Sequence, residues 1–239
     1  MSDFDILRVL IDTRDRAVQK NRIAFGNRLS AIERGVDQSD SDTQEMLKRY
    51  HERFLKLEHE LDQDIIAIAG KIPIVEAAVA VKGCGFINVA KIVALIPGIE
   101  SFTTVSKLWR FAGLAVMNGA AEKLVRGEKA HYNRRLKTAC WLLAGSFLKS
   151  NSPYRQEYDS AKEHYQCTHP EWTDGHRHNA AMRKMTKLWL AHLHSTWRAL
   201  EGLSLREPYV FDQLGHHTVK KAVDYGWLPF PMRDEHERK

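Results

Sequence analysis

The chain has 239 residues, 44% of them hydrophobic and 28% charged, with a formal net charge of +6. That length sets an expectation of one or two domains with ample chain for a buried core, and no stretch reaches the roughly 18 to 20 uncharged apolar residues of a membrane span. Three cysteines at wide spacing, Cys84, Cys140 and Cys167, exclude a disulfide framework.

The N-terminus, Met1-Ser2-Asp3-Phe4-Asp5, is acidic and lacks the basic-then-apolar layout of a secretory signal. A reducing cytoplasm is the expected address. Phe4, Leu7, Ile11, Val18, Phe25 and Ile32 follow a seven-residue pattern, although Arg14, Asn21 and Arg28 stand where its second apolar position should be. Asp3, Asp5, Asp12 and Asp15 read as helix-cap and surface acids. Gly35 to Asp42, rich in Gly, Ser and Asp, breaks the helix, and Asp42 or Thr43 can cap the next. There Leu47, Tyr50, Phe54, Leu57, Leu61, Ile65 and Ile68 are separated by steps of three and four, a better heptad seam. Residues 1–72 are therefore expected to form a helical hairpin or coiled coil that also supports a homo-dimer or higher oligomer, with an ordinary amphipathic bundle helix as the alternative.

An apolar helix from Ile74 to Val81 then enters Lys82-Gly83-Cys84-Gly85, and a second apolar helix leaves through Ala90 and Ile92 to Ile96. Two glycines one residue apart, between helices, describe a tight helix-hairpin-helix turn. Gly83 and Gly85 can take φ > 0 and lack Cβ atoms, so the backbone can approach a partner closely. The next helix offers unpaired N–H groups and the positive end of its dipole to a phosphate, with Lys82 and Lys91 flanking. The competing reading is a helical hairpin whose glycines only allow close packing. After Pro97-Gly98, Ser106 or a neighbouring threonine can cap a helix holding Leu108, Trp109, Phe111 and Ala112, which Gly113 ends. That module spans 73–114.

Residues 115–129 read as a basic irregular loop. From Ala130 a helix carries Leu136, Ala139, Cys140, Leu143, Ala144 and Phe147 on one face and Arg134, Arg135 and Lys137 largely on the other. Ser152-Pro153 starts another helix through His164, Cys167 to Gly175 is a loop, and His178 to Leu200 is a long amphipathic helix. Its Met182, Met185, Leu188, Trp189, His192, Leu193, Trp197 and Leu200 read as core. Together 115–202 form a basic helical domain, and 203–239, broken by Pro208, Pro229 and Pro231, an extended tail. No convincing strand is present, so the fold class is all-α.

Charge is unevenly distributed. Val36 to Asp64 holds nine acids and four bases, a balance of −5, whereas Thr103 to Arg155 holds ten bases and two acids, a balance of +8. From Arg177 to Arg198 five bases face no acid. Such a split is expected of a protein that binds nucleic acid. The candidate contacts are Lys82, Gly83, Gly85, Lys91, Arg110, Lys123, Arg126, Lys129, Asn133, Arg134, Arg135 and Lys137. The tryptophans 109, 141, 172, 189 and 197 are mostly expected as core anchors, with Trp172 in its polar loop as the one candidate for base stacking.

From residue 43 to about 200, the order of features resembles the insertion-sequence transposases related to the Piv-type DNA invertases, the recombinases guided by a bridge RNA. The resemblance rests on Val81-Lys82-Gly83-Cys84-Gly85 with Ala90, on Phe102, Val105, Leu108 and Phe111-Ala112-Gly113-Leu114, and on Asn133-Arg134-Arg135-Leu136-Lys137 with Ala139 and Ala144. Gly175, followed by an alanine- and base-rich helix, continues it. The resemblance implies a coiled coil, a helix-hairpin-helix module and a transposase-specific helical domain. It also implies an RNase-H-like domain with acidic metal ligands, which residues 1–42 are too few and too helical to hold. The family's serine nucleophile follows the Gly-Leu matching Gly113-Leu114, but here Ala115 to Glu122 contains no serine, threonine or cysteine. A covalent phosphodiester intermediate has no nucleophile there.

His164, Cys167, His169, His176 and His178 lie within fifteen residues, but their spacing falls outside the usual pattern of structural zinc loops, and no metal or other cofactor is expected. The reading is a cytoplasmic accessory or regulatory factor of DNA transposition or recombination that grips DNA, or structured RNA, by its phosphates. The alternatives are an active recombinase whose acidic domain lies on a separate chain, and a scaffold whose glycines only pack helices.

Overall fold

The computed structural model describes residues 1–117, 119–124, 126–205 and 220–228. The fold is all-α, and the chain divides into two compact units, Met1–Ile72 and Pro73–Lys239.

The first unit is an antiparallel hairpin. Helix α1 (Asp3–Asp12) runs through a π-helical stretch, Thr13–Gln19, into α2 (Lys20–Glu33), and α3 (Ser41–Ala69) returns along both. Ser2 and Asp5 form a reciprocal capping box at the start of α1. At α3 the cap is Asp40, whose carboxylate accepts the Thr43 N–H at 2.7 Å, where Asp42 or Thr43 was expected. The wider π turn carries both Val18 and Arg14 inward. Arg14, which interrupts the heptad, meets a matched defect in α3. Its guanidinium contacts Glu58 at 3.1 Å and pairs with Asp62, while Arg22 and Gln19 also bind Glu58. Burial opposes the charge on Arg14, but Asp62 and Glu58 outweigh it and hold its pKa above the ordinary value.

The α3 seam differs from its sequence pattern for this reason. Glu58, Leu61, Ile65 and Ala69 are buried, whereas Leu57 is 41% exposed. Asp15, expected at the surface, places its carboxylate 3.5 Å from Arg14 with a largely covered side chain. Towards the loop end, Phe25 stacks on Tyr50 and Phe54, each at 5.7 Å between ring centres.

In the second unit, α4 (Pro73–Val79) and α5 (Phe86–Leu95) are followed by a 3-10 turn at Ile99–Ser101 and by α6 (Val105–Phe111). Thr104 occupies the cap position of α6 without a side-chain bond, so neither Ser106 nor a threonine fills the expected role. A two-residue ladder, β1 (Val116–Met117) with β2 (Ala120–Ala121), lies in the stretch expected to be irregular. Then come α7 (Arg134–Ser150), α8 (Arg155–Thr168) and α9 (Asp174–Leu200). The long helix α9 packs against α4, α6, α7 and α8 and forms the centre of this unit.

Phe147, Tyr154 and Trp189 are fully buried, with Phe147 and Tyr154 stacked at 5.1 Å. Each such side chain contributes about 1.5–3 kcal/mol by leaving water. Residues 220–228, within the stretch expected to be extended, instead turn at Ala222–Tyr225 and bury Tyr225 and Trp227 against this core. Pro208, Pro229 and Pro231 lie outside the described residues. No helix among the described residues is long and apolar enough to cross a membrane.

Candidate nucleic-acid interface

The two glycines of the hairpin turn have different jobs. Gly83 adopts φ +95°, a left-handed conformation that side chains rarely take, and packs on α7. A Cβ there would meet Ser150 Oγ at 2.5 Å and Phe147 Cδ1 at 3.0 Å, and the Gly83 carbonyl accepts the Ser146 hydroxyl at 2.8 Å. Gly85 has an ordinary φ of −76°, so the expectation of left-handed freedom at both positions fails there. It is exposed, has open space where a Cβ would stand, and begins α5 with no side-chain cap. The first N–H groups of this ten-residue helix therefore lack a side-chain acceptor. Cys84, between the glycines, is buried, and burial pushes its thiol up to about 12. Cys140 is pushed up to about 12 for the same reason, so neither is a thiolate nucleophile.

The expected cationic contacts fall into two groups. Lys82, Arg110, Lys123, Arg126, Lys129 and Arg134 are exposed. Lys91 and Arg135 are half-buried and already engaged in contacts of their own. Asn133 is structural in this unit: its side chain caps α7 by accepting the Leu136 N–H at 3.1 Å and reaches the Leu95 carbonyl. Lys137 donates to the Glu122 carbonyl at 2.8 Å and lies 4.5 Å above the Tyr132 ring.

Two cations outside the sequence candidates lie on α9. Lys187 rests 4.1 Å from the centre of the Trp109 ring, and the Trp109 indole donates to the Lys187 carbonyl at 2.8 Å. Arg183, one turn earlier on the same helix, is half-buried. Burial first, and then repulsion from Arg183, hold both Lys137 and Lys187 below the ordinary lysine pKa. The signal that marks this pair in the sequence is their i, i+4 spacing within the acid-free stretch from Arg177 to Arg198.

Trp172 does not offer an open stacking face. His169 and His176 cover its two sides in parallel, at 4.1 and 4.0 Å between ring centres. His178 bonds the Tyr158 hydroxyl at 2.8 Å, and Cys167 is exposed. Among the described residues no group of three or more His, Cys, Asp or Glu side chains is placed to hold a metal ion. Trp189 and Trp197 are core residues, but Trp141 is 44% exposed.

What this geometry defines is a helical unit built on a central helix, with a hairpin turn and a run of exposed bases around α7. Residues 76–159 match the family model described as Transposase IS116/IS110/IS902 family, so the resemblance to the insertion-sequence transposases holds over this stretch. The match runs from α4 into α8, consistent with a C-terminal transposase domain of that family, and points to a transposition-related function. No curated protein and no solved structure matches the chain.

Proposed function

We propose that this protein is a DNA-binding accessory or regulatory factor of transposition that holds the nucleic-acid backbone by its phosphates, without base readout. The observation that carries this reading is the exposed, uncapped start of α5 at Gly85 beside exposed Lys82, within the stretch that matches a transposase family. Exposed Lys123, Arg126, Lys129 and Arg134 extend the same sign of charge along the chain. A phosphate accepts N–H bonds at a helix start and is drawn by the dipole. Backbone contacts position a duplex but carry no sequence information, so the grip suits DNA and structured RNA alike.

A non-catalytic role is supported by the residues after Gly113-Leu114. Ala115 to Glu122 holds no hydroxyl or thiol, and the buried cysteines are poor nucleophiles. The hairpin of the first unit, with Leu55 and Leu57 exposed on α3, is read as a surface for pairing two chains in the cytoplasm.

The test is an electrophoretic shift series with duplex DNA, branched DNA and structured RNA at several salt concentrations. Six to eight phosphate contacts give a slope of log affinity against log salt of roughly −5 to −7. Salt-insensitive binding, or none at low salt, refutes the reading. A covalent protein–DNA adduct trapped from this chain alone would favour the recombinase alternative instead.

A further inference from the structure

We infer that Lys137, Arg183 and Lys187 form a seat for one phosphate group, supplied by the backbone of a bound nucleic acid. The inference rests on the nucleic-acid reading for the source of the phosphate, but its site is separate from the hairpin turn. Helices α7 and α9 pack together, and Arg183 on α9 repels both Lys137 on α7 and Lys187 one turn further along α9. Two of the three cations are held in place by aromatic rings, Lys187 by Trp109 at 4.1 Å and Lys137 by Tyr132 at 4.5 Å. Ordering them on a ligand therefore costs less rotamer entropy than ordering free lysines.

The third, Arg183, is the reason to expect a ligand. Its guanidinium is half-buried, and among the described residues no hydrogen bond or ion pair engages it. Like charges at i, i+4 on one helix repel, and burying an arginine without an acceptor is unfavourable. Burial lowers the pKa of Arg183 and outweighs an opposing influence from Tyr165. Among the described residues, Glu122 favours the charge on Lys137, and its Oε2 is buried without a hydrogen-bond partner. No carboxylate among the described residues acts on Arg183 or Lys187, so positive charge is in excess at the seat. A phosphate diester supplies the missing charge and accepts from a guanidinium fork and two ammonium groups together.

The experiment uses the full chain, with Arg183→Gln and Lys187→Gln, and a duplex oligonucleotide and inorganic phosphate as separate probes. Loss of one phosphate contact should make the salt slope shallower by about 1 in Arg183→Gln, with weaker binding to all sequences alike. Arg183→Lys, which keeps the charge, should restore most of the slope. Without ligand, Arg183→Gln should melt at the wild-type temperature or above it, because a repulsion has been removed. A lower melting temperature in this variant makes the arginine structural and overturns the inference. Wild-type DNA binding that is unchanged in slope and affinity by both glutamine variants also overturns it, and leaves the proposed function standing. If the wild type binds no nucleic acid, the functional reading and this source of phosphate both fail. A melting temperature raised by inorganic phosphate in the wild type but not in Arg183→Gln would then keep the three cations as a site for free phosphate.

Discussion

The Ser146 hydroxyl donates to the Gly83 carbonyl at 2.8 Å, tying the hairpin turn to α7 from beneath. The same contact separates the two glycines of the turn into a packing residue and an open one. Gly83 lies where α7 passes, and Gly85 begins α5 in open space. The turn is thus both a packed helical hairpin and an exposed helix start, which the sequence offers as rival readings.

The first prediction separates those roles. Gly83→Ala forces a Cβ into a left-handed backbone position and against Ser150 and Phe147. It should destabilise the protein by about 1–3 kcal/mol, within the cost of a strained backbone. Gly85→Ala meets nothing and keeps an ordinary φ, so it should cost at most about 1 kcal/mol, the amount by which alanine is the poorer helix cap. Chemical denaturation of both variants checks this. Equal losses at the two positions contradict the division of labour.

Glu58 supports a second prediction. It is 6% exposed and meets Arg14, Arg22 and Gln19. Glu58→Ala leaves two arginines facing a cavity and should cost about 3–5 kcal/mol, as expected for breaking a covered charge network. Arg22→Ala, whose side chain is 26% exposed, should cost much less. A double-mutant cycle of Arg14 and Glu58, read by urea unfolding, should reveal a coupling of about 0.5–3 kcal/mol. Additive losses would mean that the two side chains do not act together.

The all-α class and the positions of most helices were legible because apolar spacing marks them, as in α7, where Leu136, Cys140, Leu143 and Phe147 are all buried. The break before α3 was legible from its glycine, serines and aspartates. The detail inside the first hairpin was not. Heptad spacing puts Leu57 in the seam, but a charge at Arg14 demands a countercharge, and Glu58 takes the buried place. The docking of Tyr225 and Trp227 was hidden by the prolines around them, since a local helix-breaking signal says nothing of long-range burial. On the candidate interface, sequence reasoning found the exposed bases but not which of them are already engaged. Asn133 looks like a surface contact in the sequence, yet its side chain caps a helix, and Lys137 is half-buried and bonds a carbonyl while it faces Arg183. Lys187 does not stand out in the sequence because its partner, Trp109, lies far away along the chain.

Trp227 gives a third prediction. Its indole donates to the Tyr154 hydroxyl at 2.7 Å and lies 5.9 Å from the Trp189 ring centre. Trp227→Phe removes the donor and leaves space around a smaller ring, with an expected cost of about 1–3 kcal/mol. Because the anchor lies close to exposed Lys220 and Lys221, limited trypsin digestion should cut there faster in the variant. Unchanged cleavage and stability would mean that the indole contact does not fix residues 220–228.

The fourth prediction concerns acid. His192 and His194 are buried on α9, and burial lowers both pKa values from the ordinary 6.5. His192 Nε2 bonds the Lys220 carbonyl at 2.9 Å, which only accepts, so this nitrogen carries the hydrogen and Nδ1 accepts from Tyr154. His194 Nε2 likewise donates to the Phe102 carbonyl at 2.7 Å. Burial thus favours the neutral imidazole at both positions in the fold, whereas the unfolded chain takes up protons at the ordinary value. The unfolded state binds more protons below that point, so their stabilising effect is full above about pH 6.5 and is lost as pH falls towards the folded values. Glu157 is a separate, lower step: burial opposes its charge, but Lys220 and Tyr225 outweigh this and hold its pKa below the ordinary 4.5. Urea midpoints followed by tryptophan fluorescence should therefore fall between pH 7.5 and 5.5 at constant slope. His192→Gln with His194→Gln should flatten that fall even if it lowers the starting stability, because glutamine can still donate to a carbonyl but does not titrate. An equally steep fall in the double variant would assign the acid sensitivity to other groups.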